Sequence, residues 1–213
     1  MKILFQGDSV TDAGRDRSNP HDMGEGYPRY ASAMIQDSYP DTGFEFVNLG
    51  ISGNRTADLV SRLESDFVDV QPDIVSVMIG INDVWRQFDT PAMPDYQVMP
   101  EEYEENLEKM IAMIPKKVKG VFILTPYYME PNRADKMRAR MDEYVAICKK
   151  LAEKHSFTLV DFQKVYEDYC KIRHSSYIAW DRVHPNQVGA TLMARAFLKT
   201  CDFDYQHEAV VTA

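Results

Sequence analysis

No apolar stretch in this sequence is longer than a short strand-like run, so no segment offers the roughly 20 apolar residues of a helical membrane span. Basic charge is scarce: 24 Lys and Arg stand against 33 Asp and Glu, a net charge of −9, and no run of Lys or Arg is long enough to make a concentrated basic patch. A nucleic-acid partner requires such a patch to neutralise phosphates, and none is expected. Cysteine is rare as well. Cys148, Cys170 and Cys201 lie 22 and 31 residues apart, an odd count without a CxxC pair, which argues against a disulfide frame or a zinc knuckle. The opening residues MKILFQGDSV run from three apolar residues straight into a Gly-Asp-Ser turn and lack the longer apolar region and cleavage site of a signal peptide. Internal repeats, low-complexity blocks and linkers are absent too. The expectation is an acidic, cytoplasmic protein with one domain over residues 1–213, no nucleic acid and no membrane among its partners.

Hydrophobic residues make up 45% of the chain and aromatics 11%, enough for a sizeable core. Short apolar runs at residues 3–5, 44–48, 74–79, 121–124 and 158–161 alternate with longer segments of helical period. That alternation marks an α/β fold with strands buried on both faces. Helices are expected at 27–39, 56–70, from Pro100 to a stop at Pro115, along Met137, Met141, Tyr144, Val145, Cys148, Leu151 and Ala152, and at 185–200. The result is a three-layer α/β/α sandwich around a five-stranded parallel sheet. The last residues, 208–213, have no periodic signal and are expected to fray.

In open parallel sheets, ligands bind beyond the carboxyl ends of the strands. Four polar clusters fall there: Gly7-Asp8-Ser9 after the first strand, Gly50-Ile51-Ser52-Gly53-Asn54 after the second, Gly80-Ile81-Asn82-Asp83 after the third, and Asp181-Arg182-Val183-His184-Pro185 at the entry to the last helix. Each has an ordinary structural explanation as a turn or a cap. Together they supply what nucleophilic acyl transfer needs: a hydroxyl (Ser9), a base (His184), a group to orient the base (Asp181), and oxyanion donors from the Ser9 and Gly53 N–H groups and the Asn82 amide.

These four blocks resemble those of the SGNH (GDSL-type) hydrolases over nearly the whole chain. The resemblance implies a flavodoxin-like fold and an esterase or acyl hydrolase without metal or cofactor. Ser9, Asp181 and His184 match the triad, and Ser9, Gly53 and Asn82 match the oxyanion hole. Gly50–Asn54, the run Gly80-Ile81-Asn82-Asp83-Val84-Trp85-Arg86-Gln87-Phe88-Asp89, the stretch 125–130 and Ala179-Trp180-Asp181-Arg182-Val183-His184-Pro185 are similar to intracellular acetyl-xylooligosaccharide esterases of the superfamily. That closer resemblance implies removal of acetyl groups from short imported xylo-oligosaccharides and a small acetylated oligosaccharide as partner, and it adds weight to the expectation of a homo-oligomer in which the proline-rich 85–100 segment packs against a neighbouring subunit.

Asp8, Trp85, Tyr127 and Trp180 are the expected substrate-binding residues. Aromatic faces suit sugar rings, and Tyr128 stands with Tyr127 at the same sheet edge; ordinary packing is the competing explanation for the aromatics. Asp8, with Asp83, also reads as a structural carboxylate. Arg86 is expected to pair with an acidic neighbour, and the proline-rich 85–100 segment to form a long loop beside the site. His21, His155, His174 and His207 have no triad-like context and are expected at the surface. Two other functions fit parts of the sequence. A lysophospholipase or thioesterase needs an apolar acyl tunnel. A non-catalytic carbohydrate- or metal-binding module, with Asp8, Asp12 and Asp16 around Mg²⁺, leaves Asn82 and the Asp181/His184 pair unexplained.

Overall fold

Leu4 on the first strand lies opposite Val47 on one neighbour and Val75 on the other, all three buried, and this apolar ladder crosses from the sheet's edge to its central strand. The computed structural model describes residues 1–205 and 207, so the expectation of fraying at 208–213 lies outside the described residues. Five strands pair in parallel: β1 (Lys2–Gly7), β2 (Glu45–Asn48), β3 (Ile74–Met78), β4 (Gly120–Leu124) and β5 (Thr158–Val160). Their order is β2-β1-β3-β4-β5, the flavodoxin-like arrangement, with its switch point between β1 and β3. All five expected strands are present within a residue or two of their sequence bounds.

Side chains alternate along each strand, and the sheet therefore buries two separate cores. On one face Leu4, Val75, Val77, Val121 and Ile123 pack with α3 (Thr56–Val60), α4 (Ile81–Asp89), α5 (Pro100–Met113) and α6 (Lys136–His155). On the other, Ile3, Phe5, Phe46, Phe122 and Val160 pack with α2 (Tyr27–Ser38), α7 (Phe162–Cys170) and α8 (Gln187–Thr200). The single turn α1 (Ser9–Asp12) follows β1 directly and sends Val10 into this second core.

Capping chemistry explains most of the helix limits. Pro100 is the first residue of α5 with Glu101 and Glu102 in its first turn, where the helix dipole favours carboxylates. Asp135 accepts from the Arg138 N–H at 2.9 Å to start α6, which ends where Ser156 turns left-handed. Three expectations require correction. The 56–70 helix is interrupted: α3 stops at Val60 and a wider π-helical turn spans Glu64–Asp69. That turn brings the buried Asp66 onto Gln6 (2.5 Å) and Arg62 (2.6 Å), polar contacts that periodicity does not register. The 85–100 loop is half helix, because α4 runs to Asp89 and a 3₁₀ turn follows at Pro94–Tyr96. The last helix starts at Gln187, since Asn186 rather than Pro185 is its cap and accepts from the Val188 and Gly189 N–H groups.

Phe5 is fully buried and meets Tyr27, Phe46 and Phe197 at ring separations of 5.7, 6.4 and 5.7 Å. Phe5→Ala is expected to lower the unfolding free energy by about 3–5 kcal/mol, the cost of an aromatic-sized cavity in a packed core. Urea unfolding followed by circular dichroism checks this; a loss below ~1 kcal/mol would mean that the second core is loosely packed.

Candidate active site

Ser9 is the first residue of α1, and its position depends on a sharp departure from the sheet. Asp8 caps the turn by accepting from the Val10 N–H at 3.0 Å. Gly7 has room for no side chain, since a Cβ would stand 2.3 Å from Thr11 Oγ1 and 2.4 Å from the Met78 carbonyl. The helix ends after four residues because Ala13 and Gly14 both turn left-handed. Ser9 Oγ lies 2.8 Å from His184 Nε2, although the two residues are 175 positions apart. His184 Nδ1 lies 2.6 Å from Asp181 Oδ2, while Asp181 Oδ1 accepts from the backbone N–H groups of Val183 (2.9 Å) and His184 (2.8 Å). Burial pushes the Asp181 carboxyl up, but hydrogen bonds from the His184 ring and from these two N–H groups outweigh it and hold the group below its ordinary range.

The loop bearing Asp181 and His184 is braced from β4's end. Tyr127 donates its hydroxyl to the Val183 carbonyl at 2.9 Å, the Met129 N–H donates to the Arg182 carbonyl at 2.9 Å, and Arg182 pairs with Glu130. Arg182 adopts a left-handed φ of 66° between the acid and the imidazole, which reverses the chain so that both can meet.

The Gly53 loop after β2 is held at both ends by buried carboxylates. Asp12, one turn after Ser9, accepts from the Ser52 N–H at 2.8 Å and the Ser52 hydroxyl at 2.7 Å. Burial pushes Asp12 up, yet Arg17 and these Ser52 bonds outweigh it and keep the group low. Asp83 on α4 accepts from the Thr56 N–H at 3.0 Å and hydroxyl at 2.5 Å. Between these anchors Gly53 takes a φ of 85°, a conformation that L side chains rarely adopt. Asn82, in the first turn of α4, donates from Nδ2 to the Asn54 carbonyl at 3.0 Å.

A cleft of about 460 Å³ gathers Ser9, Ala13, Gly14, Ser52, Gly53, Asn82, Trp85, Arg86 and His184. A second of about 360 Å³ opens on the other side of Ser9, beside Glu25, Gly26, Asn186 and Gln187. The structure thus brings Ser9, Gly53, Asn82, Asp181, His184 and Trp85 to one place, with the indole 6.0 Å from the His184 ring.

Other expected contacts do not converge there. Asp8 is fully buried with its carboxyl under the turn, and Tyr127 is 2% exposed with its hydroxyl bonded to Val183. Neither reaches a cleft, so the expectation that they bind substrate is corrected to a supporting place. Tyr128 is buried beneath the Arg182 guanidinium. Trp180 stands 85% exposed outside both clefts. Asp8, Asp12 and Asp16 face separate partners (Val10, Ser52 and Ser18) instead of a common centre. Arg86 pairs with Asp89, as expected of an arginine beside an acidic residue. Asp12 braces the Gly53 loop, a role whose one sequence signal is its spacing of three from Ser9. Glu25 and Gln187 had no signal at all.

A hydroxyl, an imidazole and a carboxylate in one hydrogen-bonded line at the switch point of a parallel sheet define the serine-hydrolase class on a flavodoxin-like scaffold. The chain belongs to the GDSL-like Lipase/Acylhydrolase family, whose model matches residues 5–192. It is 42% identical over 208 residues to an acetylxylan esterase of Geobacillus stearothermophilus, covering 96% of this chain and 95% of that protein. The crystal structure of Axe2, an acetylxylan esterase from Geobacillus stearothermophilus, superposes with a TM-score of 0.92 at 42% identity, covering 95% of this chain and 94% of that one. Variants of Axe2 altered at a serine, an aspartate or a histidine are described as catalytic mutants. LAE5, an α/β hydrolase from the metagenome of Lake Arreo, Spain, is 44% identical with a TM-score of 0.92, covering 95% of each chain. Among the described residues no helix is long and apolar enough to cross a membrane.

Burial pushes the Asp8 carboxyl from an ordinary 3.8 up to about 7, with the nearby Asp83 adding to the rise. The folded protein therefore keeps a proton that the unfolded chain releases between these values. This contribution to stability is complete below about pH 4 and is lost as pH rises through about 7. Asp8→Asn is expected to flatten this part of the profile, so that the variant loses less stability than the parent between about pH 5 and 7. Urea midpoints across that range decide it; parallel profiles would place the Asp8 proton elsewhere.

Proposed function

We propose that this chain hydrolyses small O-acyl esters, specifically acetyl groups on xylo-oligosaccharides, with Ser9 as the nucleophile. The observation that carries the reading is the Ser9–His184–Asp181 line opening onto the cleft that contains Gly53 and Asn82. The full-length likeness to acetylxylan esterases supports the substrate class. The 2.6 Å contact to Asp181 keeps a proton on His184 Nδ1 and leaves Nε2 to accept the Ser9 hydroxyl proton as Oγ attacks the carbonyl carbon. The negative charge that develops on the carbonyl oxygen meets the N–H groups of Ser9 and Gly53 and the Asn82 amide, with the amino end of α4 adding its dipole. Collapse of this intermediate passes the proton from Nε2 to the sugar oxygen and leaves an acetyl group on Ser9. Water, deprotonated by His184, then releases acetate and restores the hydroxyl. The Trp85 indole beside His184 offers a face to a sugar ring. A cytoplasmic setting, expected from the acidic, cysteine-poor composition, and a homo-oligomer, expected from the proline-rich 85–100 segment beside the site and supported by the resemblance to acetyl-xylooligosaccharide esterases, belong to the same reading.

Ser9→Ala is expected to lower kcat by roughly four or more orders of magnitude while the thermal transition stays in place. Acetate release from a panel of acetylated xylo-oligosaccharides, lysophospholipids and acyl thioesters measures this and the substrate class together. Near-normal turnover by the variant sinks the nucleophile assignment, and preference for the long-chain substrates sinks the deacetylase reading. Light scattering is expected to return a multiple of the 24.5 kDa chain mass. A monomer at every concentration removes the assembly and leaves the chemistry untouched.

A further inference from the structure

Two partners of opposite hydrogen-bonding character hold the Asn82 amide. Its Nδ2 donates to the Asn54 carbonyl at 3.0 Å, while its Oδ1 accepts from Arg86 Nη2 at 3.2 Å. An amide turned by 180° would set oxygen against the Asn54 carbonyl and N–H groups against the guanidinium, two repulsive contacts in place of two bonds. Arg86 is itself fixed. It lies one turn after Asn82 on α4, pairs through Nη1 with Asp89, and its guanidinium carbon sits 5.4 Å from the centre of the Trp85 ring. It lines the same cleft as Ser9, Gly53 and His184.

We propose that Arg86 is a positioning residue for the oxyanion hole, acting through the orientation and polarisation of the Asn82 amide rather than through contact with the substrate. The inference rests on the reading of Asn82 as an oxyanion donor. Nδ2 has two hydrogens, and one is committed to Asn54. The other is left for the developing charge only while Oδ1 stays bonded to Arg86, which excludes the flipped amide. A cationic donor on Oδ1 also draws electron density from the nitrogen and strengthens the remaining N–H as a donor. The oxyanion forms after binding, so the effect falls on kcat and leaves KM nearly unchanged.

A double-mutant cycle on acetyl-ester hydrolysis tests this. Asn82→Ala is expected to cost about 10²–10³ in kcat, the scale of one lost oxyanion donor. Arg86→Met keeps the apolar stem, removes charge and donors, and is expected to lower kcat by about tenfold to hundredfold with KM within about twofold. Arg86→Lys, which retains the charge and a donor, is expected to recover part of that loss. In the Asn82→Ala background, Arg86→Met is expected to cost less than about threefold, since the group through which it acts is gone. Full additivity in the double variant overturns the proposal, because it would mean that Arg86 acts on the substrate or the oxyanion directly; so does a rise in KM at unchanged kcat. Thermal melts of each variant separate these outcomes from loss of fold. Failure of this inference is distinguishable from failure of the functional reading. An active Ser9→Ala, or an Asn82→Ala without effect, removes the reading itself, whereas inactive Ser9→Ala with additive Arg86 and Asn82 removes only the role of Arg86.

Discussion

Asp12 accepts two hydrogen bonds from Ser52, and this buried carboxylate joins the helix that presents Ser9 to the residue beside Gly53. The two segments follow different strands and are tied again where Asn48 Nδ2 donates to the Thr11 carbonyl (2.8 Å), Arg15 Nε to the Gly50 carbonyl (3.0 Å) and the Ile51 N–H to the Gly7 carbonyl (3.1 Å). A charged acceptor costs much to bury and loses that cost only when its partners stay in place, so the contact favours a single arrangement of helix and loop. Asp83 ties Thr56 to the helix bearing Asn82 by two further bonds, although burial pushes its own carboxyl up to about 7. Between the two clamps Gly53 holds a positive φ at the edge of the cleft.

The same economy of polar contact extends to the fourth cluster. The segment with Asp181 and His184 enters from beyond β5, with no strand of its own to carry it to the switch point. It is seated instead by hydrogen bonds to β4's extension, through Tyr127 and Met129, and by the Arg182–Glu130 pair. Buried tyrosine hydroxyls need partners, and here the partner is the carbonyl of the residue before the imidazole. Support for the site is therefore drawn from residues that do not line it. Asp8, Asp12, Asp83 and Tyr127 are all buried, and all touch the backbone or side chains next to Ser9, Gly53, Asn82 or His184.

Much of this was legible in the sequence for definite reasons. Strands buried on both faces must be nearly continuous in hydrophobicity, so all five were visible. Ligand-facing residues of a parallel sheet must follow strand ends, so Ser9, Gly53, Asn82, Asp181 and His184 could be placed at one edge. The misses share a cause. Periodicity reports apolar contact and says nothing about a buried polar tie. It therefore overran the break after Val60, where Asp66 turns toward Gln6, and left the polar start of α4 looking like a loop. Asp8 and Tyr127 sit beside functional residues in sequence, yet a side chain's direction off a strand end is set by the turn it caps or the loop it braces.

By itself, the sequence determined the layered α/β architecture, the strand positions and the identity of the residues at the functional edge. These follow from local patterns: apolar runs, helical spacing, caps and the residue types that acyl transfer demands. Only the tertiary structure decided which of those residues meet. Ser9 and His184 are 175 positions apart and come to 2.8 Å because parallel crossovers bring the ends of β1 and β4 to the same edge, where Tyr127, Met129 and Glu130 seat the His184 segment. The orientation of the Asn82 amide, the burial of Asp8 and Tyr127, and the exposure of Trp180 depend on partners that arrive from distant parts of the chain.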